Sequence, residues 1–104
     1  QSEFDACGFE AEWLAEFNAP FIKSSPLQVG CLLREHHPLE INGTHMIIGE
    51  VQHLHYPETA QRNDGGLSLD TMGLVAVAGL DTYTQPEAGV RFAPADRTSP
   101  ARQL

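Results

Sequence analysis

The sequence predicts a mainly β protein with one short helix, and its central third carries the clearest signals. Apolar residues alternate with others from Leu27 to Leu33, which is the period of a β-strand with one buried face. Asn42 and Gly43 follow, the strongest two-residue signal for a turn between antiparallel strands, and residues 44–56 supply a return strand. We therefore expect a long β-hairpin at the centre of the chain.

A short amphipathic helix is predicted before the hairpin. Phe9, Trp13 and Phe17 recur every four residues with acidic residues between them, so that one helix face would be aromatic and the other solvated. Gly8 and Asn18 flank this segment. The aromatic stripe is expected to pack in the core.

A two-residue turn would also fix the register of the hairpin. Ile41 would pair with Thr44, and apolar residues would then meet on one face in the pairs Leu39 with Met46, Cys31 with Leu54 and Val29 with Tyr56. The other face would pair Glu40 with His45, Leu32 with His53 and Gly30 with His55. Pro38 cannot donate to a ladder, so it indicates an edge strand or a bulge near the turn.

The second half of the chain is less regular. Residues 63–66, with the sequence Asn-Asp-Gly-Gly, are typical of a surface loop. Residues 74–80 are apolar and predict a buried strand or a packed turn. Residues 87–104 are expected to form an extended C-terminal tail that is ordered only where it docks.

Charge limits the classes of partner. The chain has 14 acidic and 6 basic residues, a net charge of -8, which opposes the phosphate contacts of nucleic-acid binding. The acidic first sixteen residues would be repelled by an anionic membrane, and no apolar run approaches the roughly 20 residues that cross a bilayer. We expect no nucleic acid and no membrane as partners, and the cytoplasm as the compartment.

Histidines are the most unusual chemical feature of the predicted hairpin. His45, His53 and His55 would project from one face of the return strand, and Glu58 could add a carboxylate to a metal site. No histidine follows His55 to complete the ligand set, so solvated histidines are favoured and no metal site is predicted. The two distant cysteines, Cys7 and Cys31, are expected to be free thiols.

Four segments carry a family resemblance. They are residues 4–8, residues 25–31 (Ser-Pro-Leu-Gln-Val-Gly-Cys), residues 43–51 (Gly-Thr-His-Met-Ile-Ile-Gly-Glu-Val) and residues 77–83 (Val-Ala-Gly-Leu-Asp-Thr-Tyr). Together they resemble the C-terminal half of the flavin reductase-like, FMN-binding split-barrel family. The third segment is the most specific, because a His near the start of a strand followed by Gly-Glu-Val is the pattern of that family.

The resemblance implies a split β-barrel, here a partial one, in which residues 1–104 form the C-terminal part of a single flavin reductase-like domain. Such proteins are usually homodimers with flavin near the subunit interface. Their N-terminal half carries a Lys-Asp-Thr-like segment for the flavin phosphate, and this segment is not found here. Because residue 1 is Gln and not Met, we expect a longer polypeptide whose N-terminal half is a partner of this chain.

The implied function is an FMN-binding oxidoreductase that transfers hydride from NAD(P)H to flavin. His45 would be the catalytic residue near flavin or nicotinamide, and Gly79, Leu80, Asp81 and Tyr83 would line the other side of the cofactor. The isolated chain is expected to be inactive. Two alternatives stay open: a flavin-binding module of the same fold without turnover, and a metal-binding β domain built on histidines.

Overall fold

The structure is a computed structural model that describes residues 2–104, and it divides into two compact units. The first unit ends at Leu67 and the second runs from Ser68 to Leu104. Within the described residues the strands form four antiparallel two-stranded ladders and no closed barrel. The prediction of a mainly β chain with little helix is confirmed.

The helix α1 spans Glu3–Cys7, earlier than predicted. The Ser2 hydroxyl accepts a hydrogen bond from the Phe4 N–H (3.2 Å) and caps its start, and Gly8, at φ 72°, ends it in the left-handed conformation. The predicted helix from Phe9 to Phe17 is wrong, since this segment holds only the two-residue strand β1 (Ala11–Glu12). A nine-residue helix is marginal unless its apolar face packs against another element.

Strand β1 pairs with β2 (Phe21–Ile22), so the chain folds back where the helix was expected. Trp13 stays 61% exposed. Phe17 instead packs against Phe21, which is buried and belongs to the small core of this unit together with Ala60. Phe9 is exposed as well, so the expected packing of the aromatic stripe in the core is wrong for two of its three residues.

The predicted hairpin is present as β3 (Gln28–Leu39) and β4 (Thr44–His55). Its turn has four residues, because Leu39 pairs with Thr44 and the Gly43 N–H donates to the Leu39 carbonyl (2.9 Å). Gly43 adopts a positive φ, 68°, whereas Asn42, the other residue of the expected two-residue turn, does not. The Asn42 carboxamide oxygen accepts bonds from the Thr44 N–H (3.2 Å) and hydroxyl (2.6 Å), which ties the turn to the start of β4.

The predicted two-residue turn and its register are therefore wrong. Cys31 lies opposite Val51 and Val29 opposite Leu54. Two register shifts add to the change, with one extra residue on β3 at Arg34 and one on β4 at Gln52. No shift occurs at Pro38, which pairs with His45 in a two-stranded sheet whose strands are both edges.

The register sorts the hairpin side chains onto two faces, because directly opposed residues point to the same side. The aliphatic face carries Val29, Cys31, Leu33, His36, Pro38, His45, Ile47, Gly49, Val51 and Leu54. The polar face carries Gln28, Gly30, Leu32, Glu35, His37, Leu39, Thr44, Met46, Ile48, Glu50, His53 and His55. No Asp, Glu, Lys or Arg occurs among the ten residues of the aliphatic face.

A compact loop closes the first unit. After a 3₁₀ turn at Glu58–Ala60, Gln61 bridges to Leu67, and the Arg62 N–H donates to the Gly66 carbonyl (2.7 Å). Residues 63–65 are exposed, which confirms the predicted surface loop.

The second unit consists of a 3₁₀ turn and two small hairpins. The turn spans Asp70–Met72, and Met72 is buried. The strands are β5 (Ala76–Ala78) with β6 (Thr82–Thr84), and β7 (Phe92–Ala93) with β8 (Arg102–Gln103). Residues 75–80 are exposed, so the expectation of a buried strand or a packed turn at residues 74–80 is wrong. Residues 87–104 include the β7–β8 ladder.

Candidate functional site

Four rings cluster at the end of the hairpin that lies far from its turn. Phe17 stacks on Phe21 (centroids 5.3 Å apart) and meets the His53 ring edge to face (4.9 Å). Phe21 in turn stacks on His55 (5.6 Å). Gly30 makes the cluster possible, since a Cβ at this position would lie 2.8 Å from Phe21 Cζ. The rings therefore cover the polar face where it has no side chain.

His55 is further oriented by Gln28. The Gln28 amide nitrogen donates to the Ile22 carbonyl (2.9 Å), so its carboxamide oxygen is the atom that faces His55 Nδ1 (3.4 Å). That oxygen can only accept, so a hydrogen bond between the two residues requires the proton on Nδ1 of His55.

A cleft of about 420 Å³ opens beside this cluster. It is lined by Glu16, Phe17, Asn18, Ala19, Cys31, Leu32, Gln52 and His53. Glu16 has a φ of 64°, an uncommon conformation for a residue with a side chain. Apolar walls with a few amide and imidazole groups suit a flat ring, while the Glu16 carboxylate opposes a phosphate.

A histidine pair lies toward the turn, on the aliphatic face. His36 Nε2 is 2.8 Å from His45 Nδ1, and the ring centroids are 4.9 Å apart. His45 thus has one nitrogen engaged and Nε2 available. Because Ile47 follows on the same face, His45 stands at the edge of a charge-free apolar surface.

The three histidines predicted to share a face are separated in the structure. His45 is on the aliphatic face, whereas His53 and His55 are on the polar face, because the extra residue Gln52 shifts the alternation of β4. Eight residues of strand also place His45 and His53 about 26 Å apart. Within residues 2–104, no three His, Cys, Asp or Glu side chains come together as a metal site would require.

Glu50 belongs to a short charged network. The Arg34 Nε atom donates to Glu50 Oε2 (2.9 Å), and the Gln52 amide donates to Oε1 (2.7 Å). The Arg34 bond, followed by the Gln52 bond, lowers the pKa of Glu50 below its ordinary value of 4.5. Both bulge residues, Arg34 and Gln52, therefore reach the same carboxylate.

The other predicted site residues lie in the second unit, at one hairpin. Gly79 (φ 69°), Leu80 and Asp81 form the turn between β5 and β6. Leu80 is almost fully exposed, and the Thr82 hydroxyl donates to the Asp81 carboxylate (3.2 Å). Tyr83 is on β6, opposite Val77, and is 67% exposed. The structure thus brings these four residues together at one hairpin of the second unit, whereas His45 lies in the first unit.

Sequence reasoning missed His36, because its pairing with His45 depends on the four-residue turn. The one local signal was the Asn-Gly-Thr sequence, in which Asn42 can bond to Thr44. Sequence reasoning also missed the ring cluster, because the contact of Gly30 with Phe17 and Phe21 forms only when the folded chain brings these distant residues together.

In the part of the chain that the structure describes, no helix has the length and apolar character needed to cross a bilayer.

Comparison with known proteins gives one informative similarity. The structure matches the crystal structure of a protein from Shewanella frigidimarina NCIMB 400, provisionally described as a flavin reductase with a split barrel domain, at a TM-score of 0.85 and 39% sequence identity. The match covers 91% of this chain and 48% of the Shewanella protein, so this chain spans about half the length of its neighbour. No family model and no curated protein matches the sequence. The resemblance predicted from the motifs is confirmed: over nearly all of its length the chain is similar, in sequence and in fold, to a split-barrel protein of the flavin reductase type.

Proposed function

We propose that this chain supplies about half of an FMN-binding oxidoreductase of the flavin reductase type, which passes hydride from NAD(P)H to flavin. The similarity to the Shewanella protein, at 39% identity and a TM-score of 0.85, carries this proposal. A flavin supplies the hydride chemistry when it is bound, and the protein supplies orientation and electrostatics.

The residues of this chain suit the ring end of the cofactor. His45 offers Nε2 at the edge of the aliphatic face, and apolar side chains beside it would exclude water from a bound ring. We assign His45 the contact with flavin or nicotinamide. Gly79, Leu80, Asp81 and Tyr83 are the proposed second contact, where a tight turn exposes backbone and an aromatic ring.

The phosphate end of FMN fits the first unit of this chain poorly. An FMN phosphate carries about two negative charges and needs cationic or N–H partners. Lys23 is bound to Glu10 (3.3 Å), Arg34 to Glu50 (2.9 Å), and Arg62 lies 3.7 Å from Asp64. With a net charge of -8 as well, the chain is expected to repel the phosphate. We infer that another segment holds it.

The aliphatic face supports a partner for this chain. Val29, Leu33, Ile47, Val51 and Leu54 are 46–61% exposed. Covering the exposed half of each would stabilise the assembly by roughly 1 kcal/mol per side chain, or about 5 kcal/mol in total, which is comparable to the stability of a small domain. We propose that the N-terminal half of the same protein covers this face, and that the complete protein is a homodimer.

The test compares FMN binding by residues 1–104 with FMN binding by the longer polypeptide, using quenching of flavin fluorescence. We expect weak or no binding by the isolated chain, and tight binding with NADH or NADPH oxidation by the longer protein. Stoichiometric micromolar binding by the monomeric chain would show that the phosphate is held here and would refute the proposed division. A longer protein that binds flavin without oxidising NADH or NADPH would be a flavin-binding module.

A further inference from the structure

The histidine pair on the aliphatic face suggests a role for a residue outside the motifs. We propose that His36 is a positioning residue for His45: it donates from Nε2 to Nδ1 of His45, so that His45 presents its Nε2–H to an acceptor atom of the bound ring. The inference rests on the proposed function, which assigns His45 the contact with flavin or nicotinamide.

The register creates this pair. Pro38 is the direct partner of His45, and His36 is the direct partner of Ile47, so the two histidines are diagonal neighbours on one face. Diagonal side chains lie within reach when they are long or aromatic. The extra residue at Arg34 sets the alternation so that His36 and Leu33 share this face. The observed separation of 2.8 Å between the two nitrogens is that of a hydrogen bond.

The direction of the bond follows from imidazole chemistry. In a neutral imidazole one nitrogen donates and the other accepts. When His36 donates from Nε2, both rings carry their proton on Nε2, which is the tautomer that the histidine side chain intrinsically prefers. Nδ1 of His45 is then occupied, and the acceptor that fits its Nε2–H is a carbonyl oxygen or an unprotonated ring nitrogen.

The neighbouring histidine has another role. His37 lies on the polar face, and its Nε2 atom is 3.0 Å from Glu35 Oε1. No Asp, Glu, Lys or Arg shares the aliphatic face with His36 and His45. His36 is therefore the polar group that the hairpin brings to Nδ1 of His45, and His37 is a matched control one residue away.

The first test measures the tautomer of His45 by nitrogen-15 NMR of the imidazole rings in the full chain at pH 8. We expect the hydrogen-bonded Nδ1 signal of His45 to move in His36→Leu and to be kept in His36→Gln, whose amide can still donate. It should be unchanged in His37→Leu. A His45 spectrum that is the same in His36→Leu and in wild type would overturn the inference, whatever the flavin results.

The second test uses the longer, flavin-binding polypeptide. Loss of one positioning hydrogen bond should lower kcat/KM for NADH about five- to tenfold in His36→Leu. His36→Gln should restore most of this loss, and His37→Leu should leave kcat/KM unchanged. A changed tautomer with unchanged kcat/KM would show that His45 does not face the ring, and would also overturn the inference. If wild type binds no flavin, the proposed function fails, while the NMR experiment still decides whether His36 orients His45.

Discussion

Replacing Gly30 with alanine tests the packing at the ring cluster. Gly30 is buried in β3 and has no positive φ, so its backbone accepts an alanine. The obstacle is space, because the new Cβ would lie 2.8 Å from Phe21 Cζ and 2.9 Å from Phe17 Cζ. Ordinary carbon contacts are about 3.5–4.0 Å, so the rings must move by roughly 1 Å.

The cost follows from which ring can move. Phe21 is only 6% exposed and can shift only into space that Phe17 vacates, whereas Phe17 is half-buried and can swing toward solvent. In doing so Phe17 would lose its contacts with Phe21 and His53, each worth about 0.5–1.5 kcal/mol. Alanine restricts the unfolded chain and returns about 0.4–1 kcal/mol. We expect Gly30→Ala to destabilise the fold by about 1–2 kcal/mol.

Urea denaturation followed by circular dichroism measures this loss. Gly89→Ala is the matched control, because no atom lies within 4 Å of a Cβ at that position. A double variant, Gly30→Ala with Phe17→Leu, should lose less than the sum of the two single variants, since the smaller side chain makes room. A Gly30→Ala midpoint equal to or above that of wild type would refute this account of the cluster.

Two further predictions concern the hairpin. Gly43→Val should lower the free energy of unfolding by about 1–3 kcal/mol in urea denaturation, because a β-branched residue resists the φ of 68° at this position. The control Gly89→Val should cost much less, and equal losses of stability in the two variants would contradict the turn. The Glu50 carboxylate should titrate below 4.5 by NMR and return toward that value in Arg34→Gln. Since the pKa of Glu50 is lowered in the folded state, the contribution of this carboxylate to stability is present above pH 4.5 and is lost as the pH falls through its lower pKa in the folded protein. An unchanged titration of Glu50 in Arg34→Gln would exclude the Arg34 bond as the main cause of the lowered pKa.

Local patterns in the sequence predicted the elements that depend on neighbouring residues. The alternation after Leu27 and the Asn-Gly pair located both long strands to within a few residues, and Gly43, but not Asn42, has the positive φ that a two-residue turn requires. The surface loop at residues 63–66 was predicted for the same reason, since turn-forming residues act over three or four positions. The motif at residues 43–51 also led to the correct similarity.

Tertiary structure decided the register, and with it the composition of each face. A period-two pattern shows that a strand exists, but the partner of each residue depends on the turn length and on bulges. Asn42 bonded to Thr44 within a four-residue turn, and the extra residues Arg34 and Gln52 each shifted the alternation. His36 thus meets His45, a contact that no local spacing encodes.

The fate of residues 9–17 shows the same limit for helices. Phe9, Trp13 and Phe17 have helical spacing, yet the segment is too short to be stable as a helix without a surface to cover. Instead, β1 pairs with β2, and Phe17 packs against Phe21 in the space that Gly30 leaves without a side chain. By itself the sequence determined the two long strands, the turn glycine and the family resemblance, because these depend on local residue patterns. Only the tertiary structure decided which side chains meet, because contacts between distant residues depend on register and on available space.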